Sequence, residues 1–154
     1  MGTVNIGEQI VHLRFRQPAV TEDMNQWFYN IFEPGVFSGG EITIQDTIDP
    51  EDGVTVIGNV VVNPFSILLE TTTKQLIKVQ TNESVSLMVT PTYPFIVCSF
   101  TWQNSTENYM DFFTKDFASI IPTDVILGEI LFDINDIAID IDYLKKKMGQ
   151  LKTD

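Results

Sequence analysis

Two hydrophobic periods follow one another near the start of the chain. From Val11 to Arg16, "VHLRFR" alternates apolar Val11, Leu13 and Phe15 with polar His12, Arg14 and Arg16. A period of two sends successive side chains to opposite faces, so this segment predicts a half-buried strand with a cationic outer face. "TEDMNQWFYNIF" then changes the period: Met24, Trp27, Phe28 and Ile31 recur at helical spacing, with Tyr29 and Phe32 flanking the stripe. Thr21 is a good N-cap, Glu22 and Asp23 complement the positive end of a helix, and Pro18 lies just upstream. Pro34 and Gly35 end the element, one by removing a donor and the other by permitting a left-handed turn. A helix over 21–33 is predicted, its stripe facing the core.

After Gly40 the period returns to two. "EITIQDTI" puts Ile42 and Ile44 on one face, with Ile48 as a further member, and "GVTVIGNVVVNPFSILLETTT" reads as two or three short β-branched strands broken at Gly58, Asn63 and Pro64. "KQLIKVQ" and "ESVSLMVT" flank a turn at Asn82 and predict an antiparallel hairpin. "YPFIVCSFTWQ" is a longer strand whose start is fixed by Pro94. "STENYMDFFTKDF" reads either as a short helix capped by Ser105 or Thr106 or as a loop with anchoring aromatics. "DVILGEILFDI" and "IAIDID" are strands, and "DYLKKKMGQLK" reads as a terminal helix or tail.

Turn signals recur roughly every eight to twelve residues through the middle of the chain, a spacing that favours sandwiches and barrels over βαβ units. The predicted fold is therefore mainly β (α+β): an antiparallel β-sandwich or partly open barrel with one N-terminal helix and a short helical C-terminal tail. A single domain over 1–154 is expected, comprising an N-terminal arm at 1–20, the helix at 21–33, an antiparallel β module at 41–141 and a basic helical tail at 142–154.

Charge narrows the partners. Twenty-one acidic residues against nine basic ones give a net charge of −12, a field that repels a phosphate backbone. Phe100 and Trp102 share a strand face and could stack bases, but the nearest lysines are Lys78 and Lys115, so no cationic groove surrounds them. No nucleic-acid partner is expected. Four of the nine cations are Lys145, Lys146, Lys147 and Lys152, and Arg14 and Arg16 form a smaller group at the other end. Such asymmetry suits head-to-tail contacts between copies or neighbours, although a solvated helix face is its commoner meaning.

Candidate chemistry is sparse. Cys98, the one cysteine, rules out an internal disulfide and sits in the apolar run "FIVCSF", where a small buried hydrophobe fits best. His12 is the one histidine, alternating with arginines, and no motif joins it to a nucleophile. "GVFSGGE" lacks the Lys-Ser/Thr of a phosphate loop. "DINDIAIDID" places Asp140 and Asp142 on one strand face but lacks the Gly and final Glu of a calcium loop, and a solvated acidic edge strand explains it better. "DTIDPEDG" carries four carboxylates around Pro50 and is the best candidate for a mobile loop. No catalytic residue, cofactor or metal is predicted, the chain is not expected to be an enzyme, and neither a secretory signal nor a membrane-spanning segment is read. Eleven of the aromatics are Phe, against four Tyr and two Trp, a bias that suits a packed core or a dry subunit interface.

Four stretches in order, "WFYNIFEPGVFSGGEITI", "DGVTVIGNVVVNP", "PFIVCSFTWQNSTENYMDFFTKD" and "DVILGEILFD", resemble the N-terminal, particle-proximal modules of bacteriophage tail-fibre and baseplate proteins. The matching positions are Phe28, Asn30, Pro34, Gly35, Val36, Gly39 and Gly58, then Phe100, Trp102, Asn108, Tyr109, Asp111, Gly128 and Phe132. The resemblance covers about two thirds of the chain, and each motif alone is weakly specific. It implies a structural virion protein, a tail, baseplate or fibre-adaptor subunit made in the host cytoplasm, with other tail proteins and further copies of itself (trimers included) as partners. Family members often continue into a fibrous or receptor-binding region, so on the resemblance this chain is the docking module without the fibre. The expected contacts are strand or arm exchange by Val11, Leu13 and Phe15, and apolar burial by Phe32, Phe37, Tyr143 and Leu144. A small carbohydrate-binding or glycan-cleaving β module, using Trp102, Tyr109 and acidic loops, is the alternative reading.

Overall fold

The computed structural model describes residues 3–5, 10–11, 18–49, 51–71, 74–102 and 108–152. In order along the chain, β1 (Thr3–Asn5) and β2 (Ile10–Val11) precede α1 (Pro18–Ile31), then come β3 (Phe32–Glu33), β4 (Gly35–Gly39), β5 (Ile42–Ile48), β6 (Val56–Val62) and β7 (Phe65–Glu70). They are followed by β8 (Leu76–Gln80), β9 (Val85–Val89), β10 (Phe95–Trp102), β11 (Asn108–Lys115), a 3-10 turn at Phe117–Ser119, β12 (Val125–Asp133), β13 (Ala138–Asp142) and β14 (Gln150–Leu151). The protein is mainly β, its strands forming several antiparallel sheets, none of them closed into a barrel.

The β-branched and aromatic runs occupy the centres of these sheets. A five-stranded sheet has the order β1-β11-β10-β12-β13, a four-stranded one β2-β8-β7-β4, and a three-stranded one β5-β6-β9. Ile96, Cys98, Met110, Phe112, Leu127 and Ile130 from the first meet Val36, Ile67, Leu69 and Val79 from the second and Ile42, Val60, Val62 and Leu87 from the third. All belong to one buried cluster, so a single core is shared by the three sheets. Each such side chain removed from water contributes about 1.5–3 kcal/mol, which is where most of the fold's stability resides. Phe65 and Phe112 cross edge to face with ring centroids 6.0 Å apart, joining the four- and five-stranded sheets. Among the described residues Asp124 is a buried charge beside this core: it pairs with Lys115 at 2.7 Å and also accepts the Ile121 N–H at 3.0 Å.

Several expectations from the sequence are corrected. The C-terminal tail is not helical: after a turn at Tyr143–Lys146 it runs extended, with Met148 bridged in parallel to Val36 and β14 paired antiparallel with β3. The physical reason is that its backbone finds partners on other elements, Lys147 N–H donating to Ile126 O at 2.9 Å and Gly149 N–H to Val36 O at 2.9 Å. These bonds replace the ladder a helix would have made, and they spare Gly149 an unfavourable helix-interior position.

Two further differences follow from local bonding. β8 and β9 do not pair with each other; the turn at Asn82 is a crossover from the four- to the three-stranded sheet. Thr81 causes it, because its N–H reaches Phe65 O and its hydroxyl takes the Phe65 N–H, both at 2.9 Å, closing β8 onto β7. The helix begins at Pro18, whose missing N–H costs nothing in a first turn, and stops at Ile31 because Phe32 and Glu33 are drawn into β3. Asn108–Lys115 is a strand matched residue for residue with β10, whereas Ser105 and Thr106 lie outside the described residues.

Candidate interaction surface

The segment after β13 works as a strap. The Tyr143 hydroxyl accepts the Ile42 N–H at 2.8 Å, tying the strap's start to β5. Val36 N–H donates to Lys147 O at 3.0 Å, and the Lys146 ammonium donates to Gly39 O at 3.1 Å, tying its middle to β4. At its end, Lys152 N–H donates to Ile31 O at 2.7 Å, satisfying a carbonyl in the last turn of α1 that has no partner further along the helix. Gln150 Nε2 donates to the Glu33 carboxylate at 2.6 Å. The strap thus holds α1, β3, β4, β5 and β12 in one arrangement.

Gly35 and Gly149 allow this close crossing. Gly35 sits at φ +147°, and a Cβ there would come within 2.5 Å of Gly149 N. A Cβ on Gly149 would overlap the ring of Phe37. A side chain at Gly35 would part strap from strand, and one at Gly149 would displace the Phe37 ring or the strap.

The crossing fixes a ladder of four aromatic rings. Trp27 meets Phe28 at 5.7 Å, Phe28 meets Phe32 at 6.2 Å, and Phe32 meets Phe37 at 6.2 Å. Trp27 is 54% exposed and Phe37 42%, and Leu151, opposite Phe32 in the β3–β14 pair, is 61% exposed. The result is an apolar strip whose middle rings, Phe28 and Phe32, are partly buried and whose Trp27, Phe37 and Leu151 are exposed. Beside it, Tyr29, Glu33, Pro34, Glu70, Lys147 and Lys152 line an open groove of about 340 Å³. The Lys152 ammonium lies over the Tyr29 ring at 4.1 Å, and the Glu70 charge holds the Tyr29 phenol above its ordinary pKa.

The residues expected at an interface fall in three places. Phe32 and Phe37 meet in the ladder, where Trp27 and Leu151 join them. Tyr143 and Leu144 lie at the strap's opposite end; Leu144 is 91% exposed, next to Lys145, whose ammonium lies over Phe95 and Phe117 at 5.2 and 4.9 Å. Val11 is in β2, where it pairs within the chain with Lys78; Leu13 and Phe15 lie outside the described residues. His12, and the side chains of Trp102 and Tyr109, also lie outside them.

Trp27 and Leu151 were missed, and only Trp27 carried a signal. The buried face of α1 includes Asn25, whose amide donates to Gln75 Oε1 at 3.5 Å, so the helix is rotated and Trp27 points outward. An asparagine next to the apolar stripe was the clue to that rotation.

The remaining candidate chemistry is local. Burial raises the Cys98 thiol far above its ordinary pKa, with the Asp124 charge adding to it, so the sulfur behaves as an inert core atom. Asp140 and Asp142 lie on edge strand β13 and accept the N–H groups of Ile141 and Leu144. Among the described residues no group of three or more His, Cys, Asp or Glu side chains is placed to hold a metal ion, and no helix is long and apolar enough to cross a membrane. Comparison with protein-family models, curated proteins and solved structures gave no match.

Proposed function

We propose that this chain is a structural subunit of a bacteriophage tail or baseplate, an adaptor that joins other tail proteins through permanent apolar contacts. The observation that carries the reading is the aromatic ladder from Trp27 to Phe37, held rigid by the strap and left open to solvent. Rigid, half-exposed aromatic side chains provide large contact area at low entropic cost, as obligate interfaces require. The order of the tail-module motifs supports the same assignment, since "WFYNIFEPGVFSGG" is the stretch that builds the ladder and the β4 crossing.

The finer architecture fits such a part. We read the five-stranded sheet as one layer of a sandwich and the four- and three-stranded sheets as the other, with Phe65 and Phe112 between them. Homo-oligomers, trimers included, belong to the proposal, because assemblies of this kind are symmetric. The glycan-binding alternative draws less support: the described groove presents Tyr29, but Lys152 already covers a face of that ring.

The test is composition of the particle. Mass spectrometry of tails purified from the phage or prophage that encodes this chain should find it at a fixed copy number. Its absence from purified particles would remove the proposal.

A further inference from the structure

We infer that copies of this chain associate head to tail, the tip of the β12–β13 hairpin of one copy docking on the strap and aromatic ladder of the next. This deepens the assembly reading and rests on it, because it names one partner of the ladder.

The two faces lie at opposite ends of one strand. Lys147 N–H meets Ile126 O near the start of β12, while the tip begins at Asp133, where β12 ends. At about 3.3 Å per residue the separation along the strand is about 23 Å, so the two faces cannot satisfy each other within one chain. Contact between copies can.

They are complementary in charge and in apolar character. At the tip, Ile134 is 66% exposed and Ile137 also faces solvent, among Asp133, Asp136 and Asp140. The Asp133 carboxylate accepts the N–H groups of Asn135 and Asp136, both at 3.1 Å, which preorganises the turn. At the other end, the strap carries Lys145, Lys146, Lys147 and Lys152 with no carboxylate between Tyr143 and Lys152, and Lys147 and Lys152 line the groove beside the rings. Among the described residues the ion pair is Lys115 with Asp124, so no carboxylate there lies within 4.0 Å of these four ammonium groups. Glu33 and Glu70 share the groove with Lys147 and Lys152, so the strap's four ammonium groups stand against two carboxylates there. A basic surplus remains on this face of a chain whose net charge is −12. An apolar centre with an oppositely charged rim on each side is the arrangement that fixes both affinity and orientation. Because the two faces differ, the contact is heterologous and builds rings or filaments instead of closed pairs.

Charge reversal tests it in the isolated full chain. Sedimentation velocity over a concentration series should show the wild type associating. Asp136→Lys with Asp140→Lys reverses the tip; Lys147→Glu with Lys152→Glu reverses the strap. Each double variant should associate at least about tenfold more weakly than wild type. An equal mixture of the two should recover association, because each reversed face then meets its complement. Circular dichroism and melting establish folding, and if the strap reversal unfolds, Lys147→Gln with Lys152→Gln should still weaken association. A wild type that stays monomeric, an oligomer that neither reversal disturbs, or folded variants that fail to recover on mixing would each overturn the contact. The adaptor function is judged separately by particle composition, so a chain present in tails but indifferent to these reversals refutes the head-to-tail contact alone.

Discussion

Gly149 lies so close to Phe37 that any side chain at 149 would occupy the space of the ring. This one contact joins the C-terminal strap to the aromatic ladder, and it makes a backbone position near the end of the chain decide how a surface far back in the sequence is presented.

Gly149→Ala should therefore push the Phe37 ring aside or lift the strap from β4, costing about 1–3 kcal/mol, as overpacked sites do. Urea unfolding measures the cost. Hydrogen exchange should locate it, with faster exchange at the amides of Gly149 and Lys152, whose acceptors are Val36 O and Ile31 O.

Tyr143→Phe removes one hydroxyl and leaves the Ile42 N–H without its acceptor at 2.8 Å. A loss of about 1 kcal/mol is expected in urea unfolding, the usual worth of such a bond. Because Leu144 and Lys145 follow directly, the start of the strap should loosen while the β3–β14 end keeps its protection.

Asp124→Asn tests the buried charge. The substitution keeps the size of the side chain but weakens the bonds from Lys115 and Ile121 N–H. Lys115 is itself partly exposed and can reach water, so the cost should be about 2 kcal/mol instead of the larger figure for a stranded charge. Chemical denaturation decides between those values.

The acidic loop after β5 predicts a pH effect of definite sign. Hydrogen bonds from the Thr55 hydroxyl, the Thr55 N–H and the Val54 N–H hold the Asp52 carboxyl below its ordinary pKa. A carboxyl lowered in the folded state supplies order that is full above its unfolded pKa and is lost as pH falls through the folded one. The amide resonances of Val54 and Thr55 should titrate below the ordinary aspartate range, and Thr55→Val should move that midpoint upward.

Much of the β module was legible because its residues obey one period. β10 and β12 were readable from "FIVCSF" and "DVILGEILF", since strands buried in a shared core must be apolar over a continuous run. Long-range partners were not legible: nothing local to Thr81 announces that it will bond Phe65 and turn a predicted hairpin into a crossover. The strap misled for a related reason. Leu144, Met148 and Leu151 recur as a helix stripe would, yet backbone acceptors on β4, β12 and α1 outcompete the helix's own ladder. In α1 the stripe departs from expectation at Trp27, which is exposed, whereas Phe28 and Ile31 are partly buried. Phe32 and Phe37 were named as interface candidates because the stripe was assigned to the core, and the ladder brings those two together.

In the proposed tail assembly the ladder is covered by another polypeptide, and photo-crosslinking reaches that contact most directly. With a photo-crosslinking side chain in place of Trp27 or Phe37, irradiated particles should yield adducts to another tail polypeptide or to a second copy of this chain. Particles that contain the chain but give no adduct at either position would contradict it.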